Sequence, residues 1–164
     1  MNIILIGMPG AGKSTVGVVL AKSLGFGFLD SDLIIQSRTG KKLCEIIEEV
    51  GTDGFIETEN RIISEIRVDN TVIATGGSAV YGADAMKNLK NGGTAVYLSV
   101  CPQELERRLG NIKTRGIAMK KGETIAQLCA EREPFYEKYA DITVEATSLG
   151  LEETVEKIIK ELKG

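Results

Sequence analysis

The 164-residue chain reads as an α/β protein, a three-layer sandwich with a five-stranded parallel sheet and helices on both faces. Three observations predict this. Short strand signals alternate with helical patterns from one end to the other. The first strand signal is a continuous apolar run that stops at a glycine, as a strand buried on both faces should. The composition, 43% hydrophobic but only 5% aromatic and without tryptophan, requires a mostly aliphatic core.

Residues 2–6 form that first apolar run, ending at Gly7. Residues 12–24 follow as a helix with Val16, Val19, Leu20 and Leu24 on one side and Gly25 at its stop. A short strand over 26–29 leads into Asp30-Ser31-Asp32. Helical patterns cover 32–37, 43–50 and 52–67, separated by Gly40 and Gly51. A third strand, 71–74, runs into Gly76-Gly77, and a helix over 83–89 ends at Gly92-Gly93. The fourth strand spans 94–100, followed by a helix over 102–109 with Pro102 in its first turn. Residues 110–122 have little apolar pattern and carry Lys113, Arg115, Lys120 and Lys121, which predicts a mobile lid. A helix over 123–139 contains Pro134, expected to kink it; a fifth strand over 142–145 and an amphipathic helix over 151–162 close the chain. The length suits one domain, with no linker or internal repeat. Ligands of such sheets bind beyond the carboxyl ends of the strands, which here deliver residues 7–14, Asp30, Asp32, Gly76 and Gly77 to one rim.

Composition narrows the chemistry. A net charge of −3 without a basic block argues against nucleic-acid binding, because phosphate contacts dominate that affinity. No apolar stretch is long enough to cross a bilayer, and the apolar start is too short for a signal peptide, so a cytoplasmic protein without a membrane partner is expected. Cys44, Cys101 and Cys129 are scattered, the pattern of buried thiols. Histidine is absent, which removes Ser-His-Asp triads, Cys-His dyads and His-based zinc sites. Chemistry is left to carboxylates, Lys, Arg, backbone N–H groups and a metal ion.

The stretch Gly7-Met8-Pro9-Gly10-Ala11-Gly12-Lys13-Ser14, followed by Thr15, has the spacing of a phosphate-binding loop, with a strand before it and a helix after it. Its glycines let successive N–H groups face phosphate oxygens, and the helix adds its positive end. Lys13 is expected to reach the β- and γ-phosphates of ATP, and the Ser14 hydroxyl to bind Mg²⁺. No Asn-Lys-x-Asp guanine-reading motif is present and no strand ends in Asp-Glu, so a small-molecule kinase is favoured over a GTPase switch or a mechanical ATPase. Such a kinase needs a lid to exclude water.

Of Asp30 and Asp32, one carboxylate can hold Mg²⁺ through water while the other orients and deprotonates an acceptor hydroxyl; the plainer reading is that Asp32 or Ser31 caps the next helix. Gly76 and Gly77 can admit a ligand to backbone N–H groups, or make a tight turn. Arg107 and Arg108 are candidates to flank adenine, Arg115 to neutralise the transferring phosphate, and Arg132 to hold a substrate carboxylate.

Together, the phosphate loop, Asp30-x-Asp32, Phe55 with Glu59, Thr75-Gly76-Gly77, Arg115 and Arg132-x-Pro134-x-Tyr136 resemble the shikimate kinase family over nearly the whole chain. The resemblance implies a nucleoside-monophosphate-kinase type of fold and ATP-dependent phosphorylation of the shikimate 3-hydroxyl. By position it implies that Asp32 holds the reacting hydroxyl, Asp30 lies near the metal, and Gly76 and Gly77 contact substrate. It further implies that Arg132 pairs with the substrate carboxylate, Arg115 closes over the phosphates, and Arg108 packs on adenine. Gly10, Ala11, Gly12, Lys13, Ser14 and Thr15 complete the nucleotide site.

Three positions depart from the family pattern. Ile56 stands where an arginine directly after the phenylalanine shares the substrate carboxylate, a loss on the order of 1.5–3 kcal/mol. The glycine triplet reads Gly76-Gly77-Ser78, and the lid has Arg115-Gly116 in place of Arg-Pro. Asn60 lies one helical turn beyond Ile56, so both are expected to face a retuned pocket. Arg38 or Lys41 could restore the lost contact. The expectation is a monomeric kinase acting with Mg·ATP on a small hydroxylated molecule, shikimate first and another polyol or hydroxy acid second. A nucleotide-dependent regulatory or binding module is the alternative from another class.

Overall fold

The computed structural model describes residues 1–110 and 116–164. Its sheet has the order β2-β3-β1-β4-β5, built from β1 (Asn2–Ile6), β2 (Gly27–Asp30), β3 (Thr71–Ala74), β4 (Gly93–Ser99) and β5 (Ile142–Glu145). Every pairing is parallel: Ile4 lies opposite Ile73 on one side and Ala95 on the other, Leu29 opposite Ile73, and Leu98 opposite Val144. The helices are α1 (Lys13–Leu24), α2 (Ser31–Thr39), α3 (Leu43–Ser64), α4 (Ala83–Lys90), α5 (Pro102–Leu109), α6 (Ile125–Tyr139) and α7 (Leu151–Lys163).

The expected elements are present, with bounds shifted by a few residues. The two helical patterns around Gly51 form one element, α3, interrupted where Gly51 takes φ 75° and ψ 175°, outside helical geometry. A 3-10 turn over Ala79–Tyr81 carried no sequence signal strong enough to predict. Pro134 sits inside α6 without ending it. Thr124 caps that helix, its hydroxyl accepting from the Gln127 N–H while the Gln127 side chain accepts from the Thr124 N–H.

The core follows from strand order. β1 and β3 are central and their side chains are buried almost throughout, whereas edge strands β2 and β5 are partly exposed. Ile3, Ile4, Leu5, Ile6, Val72, Ile73, Val96 and Leu98 form an aliphatic slab on which α1, α4, α6 and α7 bury their apolar faces. A smaller cluster joins Ile35 of α2, Ile46, Phe55 and Ile62 of α3, and Ala118. Ala118 belongs to the stretch expected to be a mobile lid. The described part of that stretch has no helix or strand, yet Ala118 is buried and Ile117 and Met119 pack on the main core. Gly116 lies against the start of α3, where a Cβ would come within 2.6 Å of the Leu43 Cβ, so glycine fits where a larger residue would be forced away. Arg115 lies outside the described residues. The cysteine expectation is corrected in part: Cys129 is buried, but Cys44 is exposed. Among the described residues no helix is long and apolar enough to cross a membrane.

Candidate active site

The sheet order puts β1 between β3 and β4, so the chain leaves β1 at the switch point where such sheets open a crevice. Here the loop from Gly7 to Gly12 turns into α1. Gly12 takes φ 92° at the N-cap, a conformation that L side chains avoid, and among the described residues no side chain caps this end of α1. Lys13 is buried, and its Nζ donates to the carbonyls of Gly7 and Met8 at 2.7 Å each. The ammonium group is thereby held within the loop that it would serve.

Asp30 ends β2 and resolves the capping question. Its Oδ1 accepts from the Asp32 N–H at 2.9 Å, so Asp30, and neither Asp32 nor Ser31, caps α2. Its Oδ2 accepts from the Ser14 hydroxyl at 2.7 Å, joining a carboxylate and a hydroxyl at the head of α1. That oxygen pair fits a hard divalent cation beside phosphate. The Ser31 hydroxyl accepts from the Gly76 N–H at 3.1 Å, which ties the two strand ends together.

A cavity of about 360 Å³ adjoins this loop, lined among others by Lys13, Asp32, Glu59, Gly76, Gly77 and Arg132. Gly76 is closely packed: a Cβ there would lie 2.6 Å from Asp32 Oδ1 and 2.8 Å from Glu59 Oε2. A Cβ on Gly77 would lie 2.8 Å from Arg132 Nη1. The Tyr136 hydroxyl donates to the Gly77 carbonyl at 2.6 Å, so α6 fixes the turn as well as supplying Arg132. Arg132 is 1% exposed; its Nη2 donates to the Ala118 carbonyl at 2.5 Å and its Nε has no partner. It also lies 5.5 Å from the centre of the Tyr81 ring.

Glu59 was legible only as part of a family pattern, yet it is the most unusual group in the cavity. It is 1% exposed. Its Oε1 accepts from the Ser78 hydroxyl at 2.6 Å, and its Oε2 has no hydrogen-bond partner. Burial above all, with the nearby Asp32 carboxylate, pushes Glu59 up to about 7 against the opposing pull of Ser78, Arg132 and Lys13. The sequence signals for it, a lone glutamate on a helix and a serine after two glycines, are far too common to stand out.

Several expectations need correction. Asn60 does not face the cavity. Its Oδ1 accepts from the Ala85 N–H at 2.9 Å and its Nδ2 donates to Asp84 at 3.2 Å, so it fastens the start of α4. Ile56 is half-buried and not among the cavity-lining residues, whereas Phe55 and Glu59 are. Arg38 and Lys41 do not replace the missing arginine: Arg38 pairs with Glu65 at 2.6 Å and Lys41 with Glu49, both at the surface. Lys42, one residue on, does line the cavity, from an exposed position.

On the other side of the loop, a cavity of about 180 Å³ is bounded by Gly12, Thr15, Arg108, Leu149 and Leu151 among others. Arg108 Nε pairs with Glu104 at 3.0 Å and its Nη1 donates to the Gly10 carbonyl at 3.1 Å, which holds the guanidinium against the phosphate loop. Arg107 points to solvent beside the same glutamate.

A parallel sheet with a phosphate loop at its switch point, and beside that loop a charged cavity the size of a small metabolite, define the class: an ATP-dependent small-molecule kinase. Comparison with known proteins carries this further. The family model described as shikimate kinase matches residues 9–163. A shikimate kinase of Francisella tularensis subsp. holarctica is 40% identical over 96% of this chain and 92% of its own length. One from Thermoanaerobacter pseudethanolicus is 35% identical over 97% and 94%. The structure of the Acinetobacter baumannii shikimate kinase in complex with shikimate is similar with a TM-score of 0.86 and 32% identity, covering 99% of this chain and 92% of that one. The chain belongs to the shikimate kinase family.

Proposed function

We propose that this protein transfers the γ-phosphoryl group of ATP to the 3-hydroxyl of shikimate. The observation that carries the reading is the cavity beside the phosphate loop, in which Asp32, a candidate for the hydroxyl, and buried Arg132, a candidate for a carboxylate, accompany Lys13. The backbone N–H groups of Gly10, Ala11, Gly12, Ser14 and Thr15 cradle the phosphates, and Arg108 flanks the base. Ser14 and Asp30 would hold Mg²⁺, which when bound offsets phosphate charge. Asp32 orients the acceptor hydroxyl and takes its proton, Gly76 and Gly77 shape the acceptor pocket, and Lys13 with Arg115 stabilises charge on the transferring group. The protein acts as a monomer in the cytoplasm, a reading to be checked by light scattering on the purified chain.

Shikimate-dependent ADP formation with Mg·ATP, run beside Asp32→Asn, tests this. Turnover that is lost in the variant supports the assignment. ATP binding without shikimate-dependent turnover sinks it, and favours the second reading, a kinase of another polyol or hydroxy acid. The specific observation behind that alternative is Ile56, with no arginine at that position to grip a carboxylate. Nucleotide binding with no acceptor of any kind would leave a regulatory or binding module.

A further inference from the structure

One of the positions where this chain departs from its family, Ser78, meets the carboxyl group of Glu59, and a second, Ile56, removes a cation from the same helix. Ile56 offers no cation, and Ser78, in place of a third glycine, donates to Glu59 Oε1. The other carboxyl oxygen, Oε2, is buried without a partner in a residue that lines the acceptor cavity. Arg132 of α6, which packs against Gly77 as Glu59 Oε2 packs against Gly76, has its own unpartnered Nε. The groups acting on Glu59 are Asp32 from α2, Arg132 from α6 and Lys13 from α1, with the Ser78 hydroxyl on the loop after β3.

Among the described residues, the acceptor side of the cavity brings together two carboxylates, Asp32 and Glu59, with the buried cation Arg132, and Lys13 lies at the loop side. Lys42 is exposed, and the Lys13 ammonium is held by the Gly7 and Met8 carbonyls of the phosphate loop. An acceptor bringing a carboxylate of its own would add a third negative group close to Glu59 and Asp32. Added negative charge in a buried site favours the protonated form of the carboxyl with the highest proton affinity, which burial makes Glu59. A carboxylic acid whose carbonyl oxygen already accepts from Ser78 carries its proton on the other oxygen, and that oxygen is the one left without a partner.

We propose that Glu59 binds the acceptor as a neutral carboxylic acid, its Oε2–H donating to the acceptor's carboxylate beside Arg132, so that a proton taken from solvent replaces a second cation in this pocket. The inference rests on the reading that the acceptor is a carboxylate such as shikimate. It gives a chemical role to Ser78, which orients the acid, and it lets Ile56 stand without loss of the carboxylate site. Burial and the Asp32 charge already hold Glu59 at about 7, so little further shift is needed for it to be protonated in the complex.

The test is calorimetric titration of the full chain with shikimate, without nucleotide, from pH 6 to 8.5 in buffers of different ionisation heat. Proton linkage predicts that affinity falls by roughly tenfold per pH unit above about 7, with uptake of about one proton per ligand in that range. Glu59→Gln, whose amide is a neutral donor, should keep the low-pH affinity within roughly a few-fold and flatten the pH profile. Ser78→Ala removes a donor that favours the charged form, so the fall should begin at higher pH; circular dichroism checks that both variants are folded. Wild-type binding that is constant across the range without proton uptake overturns the inference and leaves the shikimate reading standing. A pH slope that survives in Glu59→Gln and disappears in Lys42→Met assigns the effect to Lys42 and also overturns it. Failure to bind at every pH, with no shikimate-dependent turnover, overturns both.

Discussion

Lys13 keeps its ammonium group on the carbonyls of Gly7 and Met8 while its own backbone starts α1, so one residue closes the loop and arms it. Replacing it by methionine keeps the length of the stem and removes the charge. Turnover should fall by roughly 10²–10³-fold, the scale seen when a group that stabilises transition-state charge is lost. Stability should drop by about 1–3 kcal/mol, because two buried carbonyls lose a donor. Steady-state kinetics and thermal melts separate the two, and a folded Lys13→Met variant with full turnover would exclude the assigned role. Gly76 makes the complementary case. A methyl group there meets Asp32 Oδ1 at 2.6 Å and Glu59 Oε2 at 2.8 Å, so Gly76→Ala must swing both carboxyl groups away. The expected result is a rise in acceptor KM of roughly tenfold, a cost near 1.4 kcal/mol, with the KM for ATP unchanged. An equal rise in both constants would mean that the substitution disturbs the whole rim.

At the scale of elements, the site is a set of strand ends held together by helix starts. Asp30 both caps α2 and accepts from Ser14, the first exposed residue of α1. The two duties can be separated by choice of substitution. Asn caps a helix about as well as Asp, so Asp30→Asn should melt close to the parent protein, while Asp30→Ala should lose about 1 kcal/mol. Both remove the charge beside Ser14, so both should raise the Mg²⁺ concentration needed for half-maximal turnover. If Asp30→Asn keeps the parent's Mg²⁺ dependence, Asp30 is a cap and no metal ligand. The same logic explains why Asn60 misled. Helical spacing correctly put it one turn from Ile56, but a helix face says nothing about which neighbour covers it. Its partners, Ala85 and Asp84, come from α4, some 25 residues along the chain.

For the molecule as a whole, what could be read early was what depends on local pattern. The alternation of apolar runs with helical periods specifies the parallel sheet, and the glycine spacing after residues 2–6 specifies the phosphate loop, because backbone sterics there admit few other residues. What could not be read depends on distant segments meeting: Ala118 closing over α3, Tyr136 bonding to Gly77, and Ser78 reaching Glu59. The last of these has a consequence for global stability. A carboxyl raised from 4.5 to about 7 stays protonated in the folded protein while the unfolded chain has already ionised. Its contribution is therefore complete below about pH 4.5 and is lost as pH rises through 7, by up to roughly 3 kcal/mol. The lowered carboxyls Asp141 and Glu145 act in the opposite sense and only at more acidic pH, since theirs is lost as pH falls through their depressed values. With no histidine anywhere in the sequence, no imidazole obscures the interval between. Denaturant melts of the parent protein without ligands should thus show stability declining from pH 5 to pH 8. Glu59→Gln cannot ionise, so its melts should stay level over the same interval, and it should overtake the parent at the alkaline end. A decline of equal size in both proteins would place its origin elsewhere than Glu59.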